Sequence, residues 1–117
     1  MRTRIGKKTT KLQRQFQRKG CIAVREKEIE SYLRDKVKGI GGKAYKFVSP
    51  GNAGVPDRVV CLPGGRIVFV ELKAPGKKPT ALQAAEQTKL LKIGCSVYNL
   101  DSKEEVDRFI ALQVATR

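Results

Sequence analysis

Asp57, Glu71 and Lys73 are the residues whose types and spacing could do chemistry together. Two carboxylates offer hard oxygen ligands to a divalent cation such as Mg2+ or Mn2+. An ammonium beside them can orient a water or balance charge on a phosphoryl transition state. They meet only if the chain between them folds back. The stretch from Gly54 to Lys73 holds two apolar runs, Val59–Leu62 and Ile67–Val70, around a Pro63-Gly64-Gly65 break. That is the pattern of a β-hairpin.

Register decides whether the charges converge. A three-residue loop over Pro63–Gly65 pairs Leu62 with Arg66 and sets Asp57 opposite Glu71. Glu71 and Lys73 then share a face, with Leu72 on the other. A two-residue Gly64-Gly65 turn sets Asp57 opposite Leu72 instead, so the site requires the longer loop or a bulge. Taken singly, Glu-x-Lys is a common solvated strand end and an Asp after Pro56 a common turn residue.

The elements that must position these groups follow from the flanking pattern. Ile29, Leu33 and Val37 recur every four residues and predict a helix over 26–38, stopped by Gly39. Glu26 falls on or beside that stripe, flanked by Glu28 and Glu30; an acid in a first turn also suits the helix dipole. Gly41-Gly42 opens a strand over 43–48, followed by a polar, glycine-rich loop, either a plain connection or a surface that a polyanion's backbone could approach closely. After Lys73 the Pro- and Gly-containing loop carries Lys77 and Lys78, either phosphate contacts or plain solvated charges. Thr80-x-x-Gln83 is a capping box opening a helix to about Ile93, stopped by Gly94. Gln83 thus has a purely structural role open to it as well as a role at the site. Cys95–Leu100 reads as a last strand, and Ser102-x-x-Glu105 caps a closing helix with Val106, Phe109 and Ile110. Three strands in a meander and a fourth reached by crossover make an α/β fold, a mixed β-sheet flanked by helices.

At 117 residues the chain suits one domain with a modest core. Its net charge of +14 points to a polyanionic partner. Nine Lys and Arg and no acid lie within residues 1–25, leaving sixteen basic and eleven acidic residues elsewhere. Residues 1–24 therefore read as a basic arm, DNA-contacting or simply solvated, before a domain over 25–117. No apolar stretch approaches the roughly 20 residues needed to span a bilayer, and no signal peptide is visible. Cys21, Cys61 and Cys95 are odd in number and have no histidine beside them, against a zinc site or a disulfide framework; Cys61 and Cys95 read as buried in a reduced compartment.

In combination, Gly54-Val-Pro-Asp-Arg, the hairpin and Val70-Glu-Leu-Lys resemble the PD-(D/E)XK nucleases. The closest likeness is to their VRR-NUC branch in its small, stand-alone phage-type form. The resemblance runs from about Glu26 to Phe109 and includes Phe47-Val-Ser-Pro-Gly, Leu62-Pro-Gly-Gly-Arg, Phe69-Val-Glu-Leu-Lys-Ala-Pro-Gly and Gln83. It implies a restriction-endonuclease-like αβββαβ core and metal-dependent hydrolysis of phosphodiester bonds in DNA. Asp57, Glu71 and the Leu72 carbonyl would ligate Mg2+ or Mn2+, and Lys73 would position the water. Glu26, by its Glu-x-x-Ile spacing, would support the site, with Gln83 close by. Arg58, Lys46, Lys77 and Lys78 are the expected DNA contacts. Structure-selective cleavage of branched DNA (a Holliday junction or flap) in replication, repair or recombination completes the expectation. So do a homodimer and the cytoplasm, that of the host cell if the chain is phage-encoded. The alternative of another class is a DNA-binding module that keeps the fold without cleaving, against which the intact Asp57, Glu71 and Lys73 argue. A membrane-surface binder would need a large apolar face on the basic arm, and none is evident.

Overall fold

A computed structural model describes residues 25–116; the basic arm over 1–24 lies outside them. Helix α1 spans Glu26–Gly39, and Ile29, Leu33 and Val37 are fully buried along one stripe. The Glu28 side chain accepts from the Arg25 N–H, and Lys36 and Lys38 stand at the opposite end, where the dipole favours cations. Gly39, expected to stop the helix, is still helical. The chain leaves it at Ile40 and turns at Gly41, whose φ of 90° is the left-handed conformation such an exit uses.

Strands β1 (Lys43–Lys46), β2 (Arg58–Leu62) and β3 (Arg66–Leu72) form an antiparallel meander. Leu62 pairs with Arg66 around Pro63–Gly65, so the three-residue loop is the one formed. Gly64 and Gly65 both take positive φ, 87° and 79°, a combination ordinary residues resist. Helix α2 (Ala81–Lys92) crosses over to β4 (Val97–Leu100), which lies parallel to β3 with Asn99 beside Glu71. Helix α3 (Lys103–Ala115) follows, capped by the Ser102 hydroxyl. The sheet order is β1-β2-β3-β4, a mixed sheet with three helices, the α/β architecture expected.

Two strands are shorter than the sequence suggests. β1 ends at Lys46 and β4 begins at Val97, although single main-chain bonds continue the pairing: Phe47 N–H to the Asp57 carbonyl, 2.7 Å, and Phe69 N–H to the Ser96 carbonyl, 2.9 Å.

The core lies on one face of the sheet. Val60, Leu62, Val68, Val70, Leu72 and Leu100 pack there with the α1 stripe and with Val106 and Phe109 of α3. Each such side chain contributes roughly 1.5–3 kcal/mol by leaving water. The other face is different. Among the residues of α2, only Gln87 is buried, while Leu82 and Leu91 are 57% and 55% exposed. Cys61 and Cys95 are half-buried free thiols rather than buried ones. No helix among the described residues is long and apolar enough to cross a membrane.

Candidate active site

Asp57 enters the site from the turn before β2, and its main chain is fixed by the Phe47 N–H. Its Oδ2 accepts from the Leu72 N–H at 3.0 Å, so the end of β3 holds the carboxylate directly. One step beyond the Arg58–Val70 pair, the hairpin register brings Asp57 opposite Glu71, as the longer loop requires.

Glu71 is 1% exposed. Its Oε2 accepts from Gln83 Nε2 at 2.9 Å and lies 3.4 Å from Lys73 Nζ. Its Oε1 is buried without a hydrogen-bond partner. Burial pushes the Glu71 carboxyl above the ordinary glutamate range, and the nearby charge of Asp57 adds to that; Lys73 opposes both. Lys73 is itself anchored, its N–H donating to the Leu100 carbonyl on β4 at 3.0 Å.

Gln83 holds two roles in one side chain. Its Oε1 accepts from the Thr80 N–H at 3.0 Å, closing the capping box, while its Nε2 clamps Glu71. One amide therefore both closes the helix cap and touches Glu71. Gly54 brings the loop before Asp57 against the same helical turn. Its φ is 89°, and a Cβ there would sit 2.8 Å from the Leu82 carbonyl oxygen, so a side chain would push the loop off α2.

Among the described residues, no group of three or more His, Cys, Asp or Glu side chains stands close enough to hold an ion. The donors available are two carboxylates, the intervening main chain and solvent. That set, with an unpartnered oxygen buried on Glu71, fits a hard cation that keeps open positions for water and phosphate. It does not suit a closed structural metal site.

A polar cleft is lined by Glu26, Glu30, Lys46, Asp57, Arg58 and Leu72, so that Asp57 borders it and Glu71 does not. Glu26 thus stands near Asp57, though exposed rather than on the buried stripe. Glu30 pairs with Arg58, and its distinct role was not read from the sequence; its spacing of four from Glu26 on one helix face was the available signal. Arg58, expected as a DNA contact, is turned inward. Strand alternation puts it on the face of Val60, where it is 7% exposed, and burial holds its guanidinium below the ordinary arginine value. Lys46, Lys77 and Lys78 are exposed, the last two in the turn after β3. Beyond Gln83, Gln87 and Asn99 exchange amide hydrogen bonds of 2.8 and 3.0 Å, tying α2 to β4.

No family model matches the chain. Among curated proteins, it is similar to "Putative nuclease p44" of Acyrthosiphon pisum secondary endosymbiont phage 1, at 56% identity over 81 residues. The match covers 69% of this chain and 87% of the relative. Among solved structures, one described as "VRR_NUC domain" superposes with a TM-score of 0.71 at 33% identity. It covers 76% of this chain and 97% of the other.

Proposed function

Because the chain belongs to the VRR-NUC nucleases, we propose that it is a metal-dependent DNA endonuclease working through Asp57, Glu71 and Lys73. The observation that carries this reading is the buried, unpartnered Oε1 of Glu71 beside Asp57 and Lys73. Asp57, Glu71 and the Leu72 carbonyl would hold Mg2+ or Mn2+, which when bound acidifies water and polarises the scissile phosphate. Lys73 directs its ammonium at the attacking water and at the charge that develops on the phosphoryl oxygens. Gln83 keeps Glu71 from swinging, and Glu26 adds negative charge at the rim.

The substrate is DNA, attracted by a net charge of +14. Lys46, Lys77 and Lys78 contact phosphates around the cleft, and residues 1–24 act as a basic arm along the backbone. We further propose that the preferred substrate is branched DNA and that two copies act as a homodimer, each cutting one of two opposed strands. The host-cell cytoplasm is the corresponding location. A panel of linear, flapped and four-way-junction DNA, incubated with Mg2+ or Mn2+ and with chelator, tests the reading. Cation-dependent nicking that favours the branched forms is expected. Absence of cleavage on every substrate in both metals would overturn the enzyme reading.

A further inference from the structure

The start of α2 does more than begin a helix. Thr80 and Gln83 are joined in both directions: the Gln83 N–H donates to the Thr80 hydroxyl at 3.2 Å, and the Thr80 N–H donates to Gln83 Oε1 at 3.0 Å. An amide has one acceptor end and one donor end. With its oxygen held by the Thr80 N–H, the nitrogen of Gln83 must face Glu71 Oε2, 2.9 Å away. Flipping the amide would set its oxygen against the carboxylate. The clamped Oε2 in turn leaves Oε1 as the unpartnered oxygen.

Little else holds the helix in place. Gln87 is its one buried residue, and its ties to the sheet include the Gln83–Glu71 bond and the Gln87–Asn99 amide pair. The same first turn also meets the loop of the other carboxylate, where Gly54 rests against the Leu82 carbonyl.

From this geometry, and resting on the metal-dependent reading above, we infer that Thr80 is a positioning residue. Through Gln83 it selects which oxygen of Glu71 is offered to the cation, so that order in the first turn of α2 and cation binding are coupled. Coupling of this kind is reciprocal. A cation that fixes Glu71 also tightens the turn that holds it.

The test is a Mn2+ titration by calorimetry on the full chain without DNA, across a graded series at position 80. Thr80→Ser keeps both bonds and should match the wild type. Thr80→Ala loses the hydroxyl bond along with the methyl but keeps the N–H bond, and should weaken binding a few-fold. Thr80→Pro also removes the N–H that orients Gln83, yet the native φ of −69° already suits proline. It should approach Gln83→Ala, with affinity down about 10- to 100-fold, as when partners of metal ligands are removed. In parallel, Mn2+ should slow hydrogen exchange at the Ala84 N–H, which donates to the Thr80 carbonyl at 2.8 Å, and should not do so in Gln83→Ala. Thr80→Pro that melts earlier but binds Mn2+ as tightly as the wild type would reduce Thr80 to a plain cap and overturn the inference. A wild type that binds no Mn2+ overturns the metal-dependent reading itself, and the inference with it.

Discussion

The Asp57 carboxylate accepts a hydrogen bond from the main-chain N–H of Leu72, the residue between Glu71 and Lys73. One acid of the site is therefore fastened to the backbone that carries the other two charged groups. Their relative placement depends on hairpin register rather than on long flexible side chains.

The pair is the first thing to test. Asp57→Asn retains an acceptor for the Leu72 N–H, and Glu71→Gln retains one for Gln83, so neither should disturb the fold. Each removes an anionic ligand, and each should abolish Mg2+-dependent cleavage in a gel assay. Both variants cleaving at the wild-type rate would place the active site elsewhere.

Stability against pH should carry the mark of Glu71. Its folded-state pKa is raised by burial and by Asp57 above the ordinary value of 4.5. A carboxyl of this kind favours folding most when protonated, below the unfolded value. That contribution is lost as the pH rises through the raised value. In chelator, Glu71→Gln should therefore gain on the wild type in thermal melts as the pH rises above the ordinary value of 4.5. Saturating Mg2+, which binds the ionised form, should narrow or invert the gap. A difference that stays flat over that rise would contradict the burial of this charge.

Lys73→Ala should separate binding from chemistry. Mn2+ and DNA should still bind, while the rate at saturating DNA falls on the order of 10²- to 10³-fold. Lys73 also opposes the upward push on Glu71. Its loss should move the acid limb of the pH–rate profile to higher pH. A slower enzyme with an unmoved profile would deny that electrostatic link.

Glu26 and Glu30 share a cleft but should behave differently. Glu30→Gln leaves Arg58 under α1 without its ion-pair partner. Removing one member of a buried pair costs about 3–5 kcal/mol. Because the Glu30 side chain is 29% exposed, we expect ~2 kcal/mol in denaturant unfolding. Glu26→Gln, on an exposed first turn, should shift stability by less than about 0.5 kcal/mol and reduce cleavage only moderately. A Glu30→Gln loss as small as that expected for Glu26→Gln would mean the ion pair contributes nothing.

Much of this arrangement was legible in the sequence because it is local. Pro63-Gly64-Gly65 between β-branched runs marks the hairpin, though it left two registers open until the Leu62–Arg66 pair chose one, and Thr80-x-x-Gln83 and Ser102-x-x-Glu105 give the helix starts. Both rest on short-range chemistry. The Glu30–Arg58 pair was not legible. It depends on how α1 is rotated over β2, and a stripe of three apolar residues at spacings of four fixes that rotation only to within a position. The inward Arg58 misleads for a related reason: a charged residue beside Asp57 reads as exposed until alternation from Val60 is counted back to it. Gln83 was left with two readings that a sequence cannot choose between, and its amide bonds both the Thr80 cap and Glu71. The exit of α1 ran past Gly39 because the left-handed residue needed there is Gly41.

Gly54 also sets how this surface can change over generations. The segment between β1 and β2 is held at one end by the Phe47–Asp57 main-chain bond and at the other by the tight seat of Gly54 on Leu82. Between those two ends, Pro50, Gly51, Asn52 and Ala53 are exposed. Inserted or altered residues there leave Asp57 where it is, whereas any side chain at Gly54 displaces it. Natural drift, or a designer grafting a new recognition loop, has Pro50, Asn52 and Ala53 open, while the φ of 82° at Gly51 resists a side chain and Gly54 is closed.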